Sequence, residues 1–486
     1  MKVLEKESFP EWTLLRAYPK IFALIGIIHT FLCAGVVFGW ASLYAILKYE
    51  GIFSTDPSTA TQKFSNVFMF GAIGNYMSNL PFGTLLDSHG PKITCIAASL
   101  LFTIGLYLCS LAVSDESGWY LTIGYGLLGL AGPAIQLPTL HLSKLFPDNS
   151  AALMSIQAAA FDGGCAVFAI AKSLKSSCDL SSQTFFRLYL IVPAFTLLTA
   201  LIAWPHKSLP NTDEFNSIDD LKGLTSNSSR DSVTSISGAG SPFYSPATKS
   251  YKRKKKMHNM NLIDTLQTKE FIFLALFTSI HILKLNFVVT SINDQLDNAF
   301  DSNTTVDTLI GLFGFLLPLG FVIMPLTAYL LQNDPIWAFQ LANILGCIYG
   351  IALLVGDLSP LLHVLIIFPL VAVSRQLVYS TVFNEIDDLF GFKNYGTLLG
   401  IVNVVVSAVG CIQALLVTWA VDIGNWHSSN LSLVLVTLPL FAAPMVLSEA
   451  LQPKSVMEAK SKIKELNNTE RTRLLKVRSV SHENLI

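Results

Sequence analysis

Apolar runs of about twenty residues recur along the whole of this 486-residue chain, each long enough to cross roughly 30 Å of hydrocarbon as a helix. Inside lipid every backbone N–H and C=O must find its partner within the protein, which makes helices the natural reading of such runs. Charged residues make up 13% of the chain and hydrophobic ones 52%, where a soluble domain carries about 25% charged. A chain so balanced cannot cover its own surface in water. Soluble enzyme, secreted disulfide scaffold and disordered protein are excluded. The net charge of −1 gives no sign of a nucleic-acid partner, because the charges are segregated along the chain.

The runs read as twelve helices in an all-α membrane protein. Six lie at 20–47, 64–87, 91–113, 118–141, 149–174 and 184–205, and six at 269–293, 306–332, 335–356, 359–385, 393–421 and 430–451. They divide the chain into a short N-terminal segment (1–19), a first bundle (20–205), a polar loop (206–268), a second bundle (269–451) and a tail (452–486). The loop, rich in Ser, Asn, Asp and Lys, buries too little apolar surface to offset its ordering entropy and is expected to be disordered. Lys2, Lys6, Arg16 and Lys20, the run 252–256 and the tail cations from Lys454 to Arg478 put both termini and the loop on the cytosolic side. The opposite loops lean acidic, with Asp294, Asp297, Asp301 and Asp307 among them. Two sequons, at Asn303 and Asn430, fall on that far side. Glu5, Glu7 and Glu11 argue against a signal peptide. Six of the seven cysteines lie in apolar runs and only Cys178 in a loop, so no loop disulfide is expected.

An internal repeat supports two equivalent halves. Leu145-Phe146-Pro147-Asp148-Asn149 precedes a small-residue helix ending near Gly164-Cys165, and Leu389-Phe390-Gly391-Phe392-Lys393-Asn394 precedes another ending near Gly410-Cys411. Parallel six-helix halves are a transporter arrangement with a binding site at the midplane between them.

After the second run comes Gly83-Thr84-Leu85-Leu86-Asp87-Ser88-His89-Gly90-Pro91-Lys92, which resembles the major facilitator superfamily signature G-x-x-x-D-R-x-G-R-[RK]. Gly83, Asp87, Gly90 and Lys92 match it, while Ser88 and Pro91 replace its two arginines. Gly90 permits a tight turn. Asp87 can cap or charge-pair at a neighbouring helix N-terminus and so hold one gate state closed. Gly35-Val36-Val37-Phe38-Gly39-Trp40, Ala160-Phe161-Asp162, Arg375-Gln376-Leu377-Val378-Tyr379 and Tyr395-Gly396-Thr397-Leu398-Leu399-Gly400 resemble solute carrier family 43. Tyr189–Pro193, Lys284–Phe287 and Asp388–Phe392 look most like its fungal members. That resemblance implies the major facilitator fold and facilitated diffusion of a small polar solute, with neutral amino acids first and nucleobases second.

An ionisable residue at a helix centre costs about 2.5–3.5 kcal/mol on insertion scales and must face protein, water or substrate. Asp162, beside Gly163-Gly164, is a candidate for substrate contact, gating or proton carriage, or for a structural pair within the bundle. Lys284 and Asn286 in span seven and Arg375 with Tyr379 in span ten are further candidates. An Arg fork suits a carboxylate, though a structural ion pair fits equally. His29 could carry a proton or simply be hydrogen-bonded structure. Gln136, Gln157, Asn75, Asn79, Asn403 and Gln413 either line a cavity or join helices. Trp40, Trp119, Trp204 and Trp426 read as interfacial anchors.

No phosphate loop, metal-ligand cluster or nucleophile–His–Asp arrangement occurs, so neither enzyme activity nor a metal or cofactor is expected. Glu470, Leu474 and Leu475 fit the acidic dileucine pattern [DE]-x-x-x-L-[LI], which implies a sorting adaptor as a partner and a vacuolar, lysosome-like membrane, with the plasma membrane as the alternative. The sequence thus reads as an alternating-access carrier whose partners are a small-molecule substrate and the lipid bilayer. Proton symport through Asp162 or His29, and a transporter-like receptor or scaffold without flux, stay open.

Overall fold

The computed structural model describes residues 15, 17–53, 57–112, 118–140, 142, 145–146, 150–206, 260–390 and 395–448. Most of the loop expected to be disordered, and the tail with Glu470, Leu474 and Leu475, lie outside the described residues. Among those residues all regular structure is helical.

The first half runs α1 (Pro19–Cys33), a 3-10 turn (Val36–Gly39), α2 (Trp40–Tyr49), α3 (Pro57–Met77), α4 (Asn79–Ser110), α5 (Trp119–Leu140), α6 (Ser150–Gly163), α7 (Ala166–Cys178), α8 (Ser182–Tyr189) and α9 (Ile191–Ile202). The second begins with a short α10 (Leu262–Leu266), so the last part of the connecting loop is ordered. It continues with α11 (Lys269–Ala299), α12 (Asn303–Leu316), a 3-10 turn (Leu317–Ile323), α13 (Met324–Asn333), α14 (Pro335–Leu353) and α15 (Phe368–Phe390). It closes with α16 (Tyr395–Gly410), α17 (Ile412–Ile423), α18 (Trp426–Thr437) and α19 (Ala443–Leu447).

Nine helices among the described residues are long and apolar enough to cross a membrane, or ten when α1 and the Val36–Tyr49 segment, bent by 43°, count as one. The expected count was twelve. The two runs that fall short, 64–87 and 149–174, correspond to α3 and to the α6–α7 pair. Thr61, Gln62, Lys63, Ser65, Asn66 and Asn75 dilute α3, and α6–α7 is cut at Gly163–Cys165. Both face protein: α3 packs on α16 and α17, and α6 on the Leu317–Ile323 turn. Helices buried between two halves need not match lipid along their length. Outward-facing side chains do match it, as the exposed Ile104, Leu198, Ile202, Leu276, Leu365 and Leu415 illustrate. In water such surface would be a liability.

Close approaches depend on small residues. A side chain at Gly35 would collide with the Phe161 carbonyl, so the bend after α1 can nest against the end of α6. Asn75 Nδ2 donates to the Ala34 carbonyl at 3.0 Å and satisfies an acceptor that the bend leaves open. Gly90 has φ 80° and ψ 176°, where α4 breaks before Pro91. Only glycine adopts that conformation readily, so Gly90→Ala is expected to cost roughly 1–3 kcal/mol. The measurement is the thermal midpoint in detergent, which should fall; an unchanged midpoint would mean that the turn relaxes freely.

Trp40, Trp204 and Trp426 are buried, which corrects the reading of all four tryptophans as interfacial anchors; only Trp119 is exposed. Trp40 instead packs with Tyr44, Phe64, Phe68 and Tyr125. Asn430 is buried and donates to Gln295 Oε1, which leaves its sequon inaccessible.

Candidate functional site

The two halves meet at a buried ion pair. Asp162, in the last turn of α6, lies 3.5 Å from Arg375 Nη2 on α15, with side-chain exposures of 8% and 4%. The glycines that end α6 bring its carboxylate end close to the bend after α1, and Cys165 opens α7 just beyond. Arg375 Nη1 donates to Cys165 Sγ at 2.8 Å, and its guanidinium carbon lies 4.5 Å from the centroid of the Phe38 ring and 5.8 Å from that of Tyr379. Nη2 has no hydrogen-bond partner among the described residues. A guanidinium held by one carboxylate, a thiol and two aromatic faces is compensated in charge but short of acceptors.

A second cross-half cluster adjoins it. Tyr76 on α3 and Tyr379 on α15 share a hydroxyl–hydroxyl hydrogen bond of 2.9 Å, and Asn286 Nδ2 on α11 donates to the Tyr76 hydroxyl at 3.2 Å. Phe38 connects the clusters, with its ring centroid 6.1 Å from those of both Tyr76 and Phe161. Asp162, Arg375, Tyr379 and Asn286 are thus brought together, one part from each half.

The other candidates lie elsewhere. Lys284 points into its own half, where Nζ donates to the Gly346 carbonyl of α14 and sits 4.8 Å over the Tyr349 ring. His29 is buried edge-on against Phe195 within the first half, 4.9 Å between centroids, and both ring nitrogens lack partners among the described residues. Gln136 is half-buried in α5, with its carbonyl accepting from Thr139 Oγ1. Gln157, in α6, pairs with Thr30, and Gln413 with Thr290, each inside one half. Of the signature residues, Gly83 has open space around it, Gly90 makes the break described above, and the Lys92 backbone N–H donates to the Pro205 carbonyl at 3.1 Å. The side chain of Asp87 lies outside what is described.

At the end of the bundle opposite the connecting loop, a charged seam joins the halves. Tyr44 and Thr61 from the first half both donate to Asp294 Oδ1 of the second, at 2.5 and 3.3 Å. Lys48 reaches Asp294 and Asp297, and Lys172 pairs with Asp307 at 3.4 Å. Asn293 Nδ2 donates to the Ala41 carbonyl at 3.1 Å. These contacts hold that end shut.

Sequence reasoning missed Tyr76, Phe38 and Cys165 as parts of the centre, and Tyr44 and Asp294 as a joint. A hydroxyl-bearing aromatic next to Asn75, at the end of the apolar stretch 67–74 of α3, was the available signal for Tyr76. Asp294 carried none beyond an acidic loop.

Two helical halves closed over buried charge define a membrane carrier of the two-bundle kind. The description of the Major Facilitator Superfamily matches residues 30–414, and the chain belongs to that family of transporters. It is similar to Protein FMP42 of Saccharomyces cerevisiae, 25% identical over 83% of this chain and 89% of that one. The human large neutral amino acids transporter small subunit 3 is 23% identical over 42% of this chain and 40% of its own. Bovine equilibrative nucleobase transporter 1 is 25% identical over 29% and 32%, respectively. A crystal structure of the peptide transporter POT superposes with a TM-score of 0.62 at 13% identity, covering 88% of this chain and 95% of that one, a likeness of fold.

Proposed function

We propose that the chain carries neutral amino acids by facilitated diffusion, with the Asp162–Arg375 pair as the seat of the solute's two charges. The observation behind this reading is that one acid and one base, each from a different half, meet in a site nearly closed to solvent. Separating a buried pair without replacement leaves uncompensated charges, at a cost of several kcal/mol. A zwitterion resupplies both partners: its carboxylate can take the fork of Arg375, including Nη2, and its ammonium the carboxylate of Asp162. A cationic solute would add charge beside a guanidinium that already lacks acceptors. Tyr379, Tyr76 and Asn286 would complete the enclosure, and the seam around Asp294 would open as the linker end closes. Both termini are cytosolic in this reading, the membrane is vacuolar, and the tail motif Glu470–Leu475 recruits the sorting adaptor.

The test is uptake of labelled neutral amino acids into liposomes holding the purified full chain. Saturable uptake is expected, unchanged when an ionophore collapses the pH gradient and not competed by cationic amino acids. Nucleobases, carried by a named relative, form the second panel. Uptake of nucleobases alone, or uptake that vanishes with the pH gradient, would contradict the reading.

A further inference from the structure

Beside the charged pair lies a narrow void of about 10 Å³ between α3 of the first half and α11, α16 and α17 of the second. That is at the lower limit of what one water needs. Met69 and Ala72 on α3 face Val406 and Gly410 on α16, while Tyr76 and Asn286 connect the void to the ion pair through Tyr379 and Arg375. Its opposing walls belong to different halves, so rocking of one half on the other changes its width.

The repeat gives this void a counterpart. α6 and α7 break at Gly164-Cys165, and α16 and α17 break at Gly410-Cys411, with Cys165 and Cys411 each at the start of the second segment. At one break the chain offers Asp162 to Arg375 of the other half. At the other it offers no side chain: an added Cβ at Gly410 would meet no heavy atom within 4 Å. One break supplies charge and the other supplies room.

We infer that this crevice receives the side chain of the transported amino acid and that Gly410 sets the largest side chain accepted. The inference rests on the reading of the ion pair as a zwitterion seat and adds a determinant of selectivity to it. Met69, Ala72, Ile73 and Val406 give the crevice an apolar stretch suited to an aliphatic or aromatic side chain, beside the polar Tyr76, Asn286, Ser407 and Gln413. Gly410 adds no Cβ to its lining. Gly410→Val narrows the crevice from one half, and Met69→Ala widens it from the other.

The experiment compares initial uptake of alanine, valine, leucine and phenylalanine by the full chain in liposomes. Gly410→Val should lower phenylalanine uptake relative to alanine at least tenfold, chiefly through KM, with Gly410→Ala between it and the wild type. Met69→Ala should shift the ratio the other way. An equal fall for all four solutes, in variants whose thermal midpoints match the wild type, would overturn the size filter while leaving the zwitterion seat standing. Failure of the wild type to carry any of the four would remove both.

Discussion

Arg375→Met is expected to abolish uptake, lowering the initial rate at least ~100-fold, and to destabilise the protein by roughly 3–5 kcal/mol, as removing one member of a buried pair does. The destabilisation comes from Asp162, which would keep its charge or its polarity in a dry site with no cation opposite. Asp162→Leu should do the same from the other side, stranding the guanidinium between Phe38 and Tyr379. The double variant Asp162→Leu/Arg375→Met separates structure from function. Two apolar side chains of similar volume can replace a buried pair with little loss or even a gain, so its thermal midpoint should return most of the way to the wild type. Its uptake should stay absent, because neither charge of the solute would have a seat. Recovery of uptake together with stability would show that the pair only braces the halves.

Asp294→Ala should open the end of the bundle away from the connecting loop. Tyr44, Thr61 and Lys48 all converge on this carboxylate from the opposite half. Hydrogen bonds to a charged group contribute about 1.5–3 kcal/mol each, so losing the partly buried Tyr44 bond alone shifts the open population by roughly 10- to 100-fold, at tenfold per 1.4 kcal/mol. Cys165 is fully buried at the centre and reports that opening. With the exposed Cys178 and Cys411 and the half-buried Cys347 replaced by Ser, a membrane-impermeant thiol reagent should label Cys165 at least tenfold faster in Asp294→Ala. Asp297→Ala should change little, since the Lys48–Asp297 pair is 48% and 40% exposed and such pairs contribute at most about 1 kcal/mol. Equal labelling of Cys165 with and without Asp294 would mean that the seam does not govern access.

The two-half plan was legible because hydrocarbon imposes run length, and the glycine-rich turn between the second and third runs carried the family signature. Asp162 and Arg375 stood out for the same reason: lipid rejects charge, so a charge in an apolar run has an address inside the protein. Their meeting was not legible. Arg375 lies 210 residues from Cys165, which it touches, and no local pattern encodes a contact between halves. Direction was equally hidden. Lys284 looked like Arg375 in sequence, yet it packs on Gly346 and Tyr349 of its own half, because a helix buried on nearly every side gives no apolar face from which to read orientation. Length and apolarity mark nine or ten of the twelve expected spans among the described residues; α3 and α6–α7 are not marked because they trade apolarity for contact with the other half.

The central claim is that the halves rock about the Asp162–Arg375 centre so that one end opens as the other closes. Pulsed electron resonance distances test it most directly, in a background stripped of native cysteines. One spin-label pair would sit at Tyr49→Cys and Asp301→Cys, on the end joined by the charged seam, and another at His89→Cys and Asn333→Cys, near the connecting loop. Two distance populations should exist at each end, and adding a carried solute should shift the pairs in opposite senses, one lengthening as the other shortens. Single fixed distances at both ends, or distances that lengthen together, would contradict it.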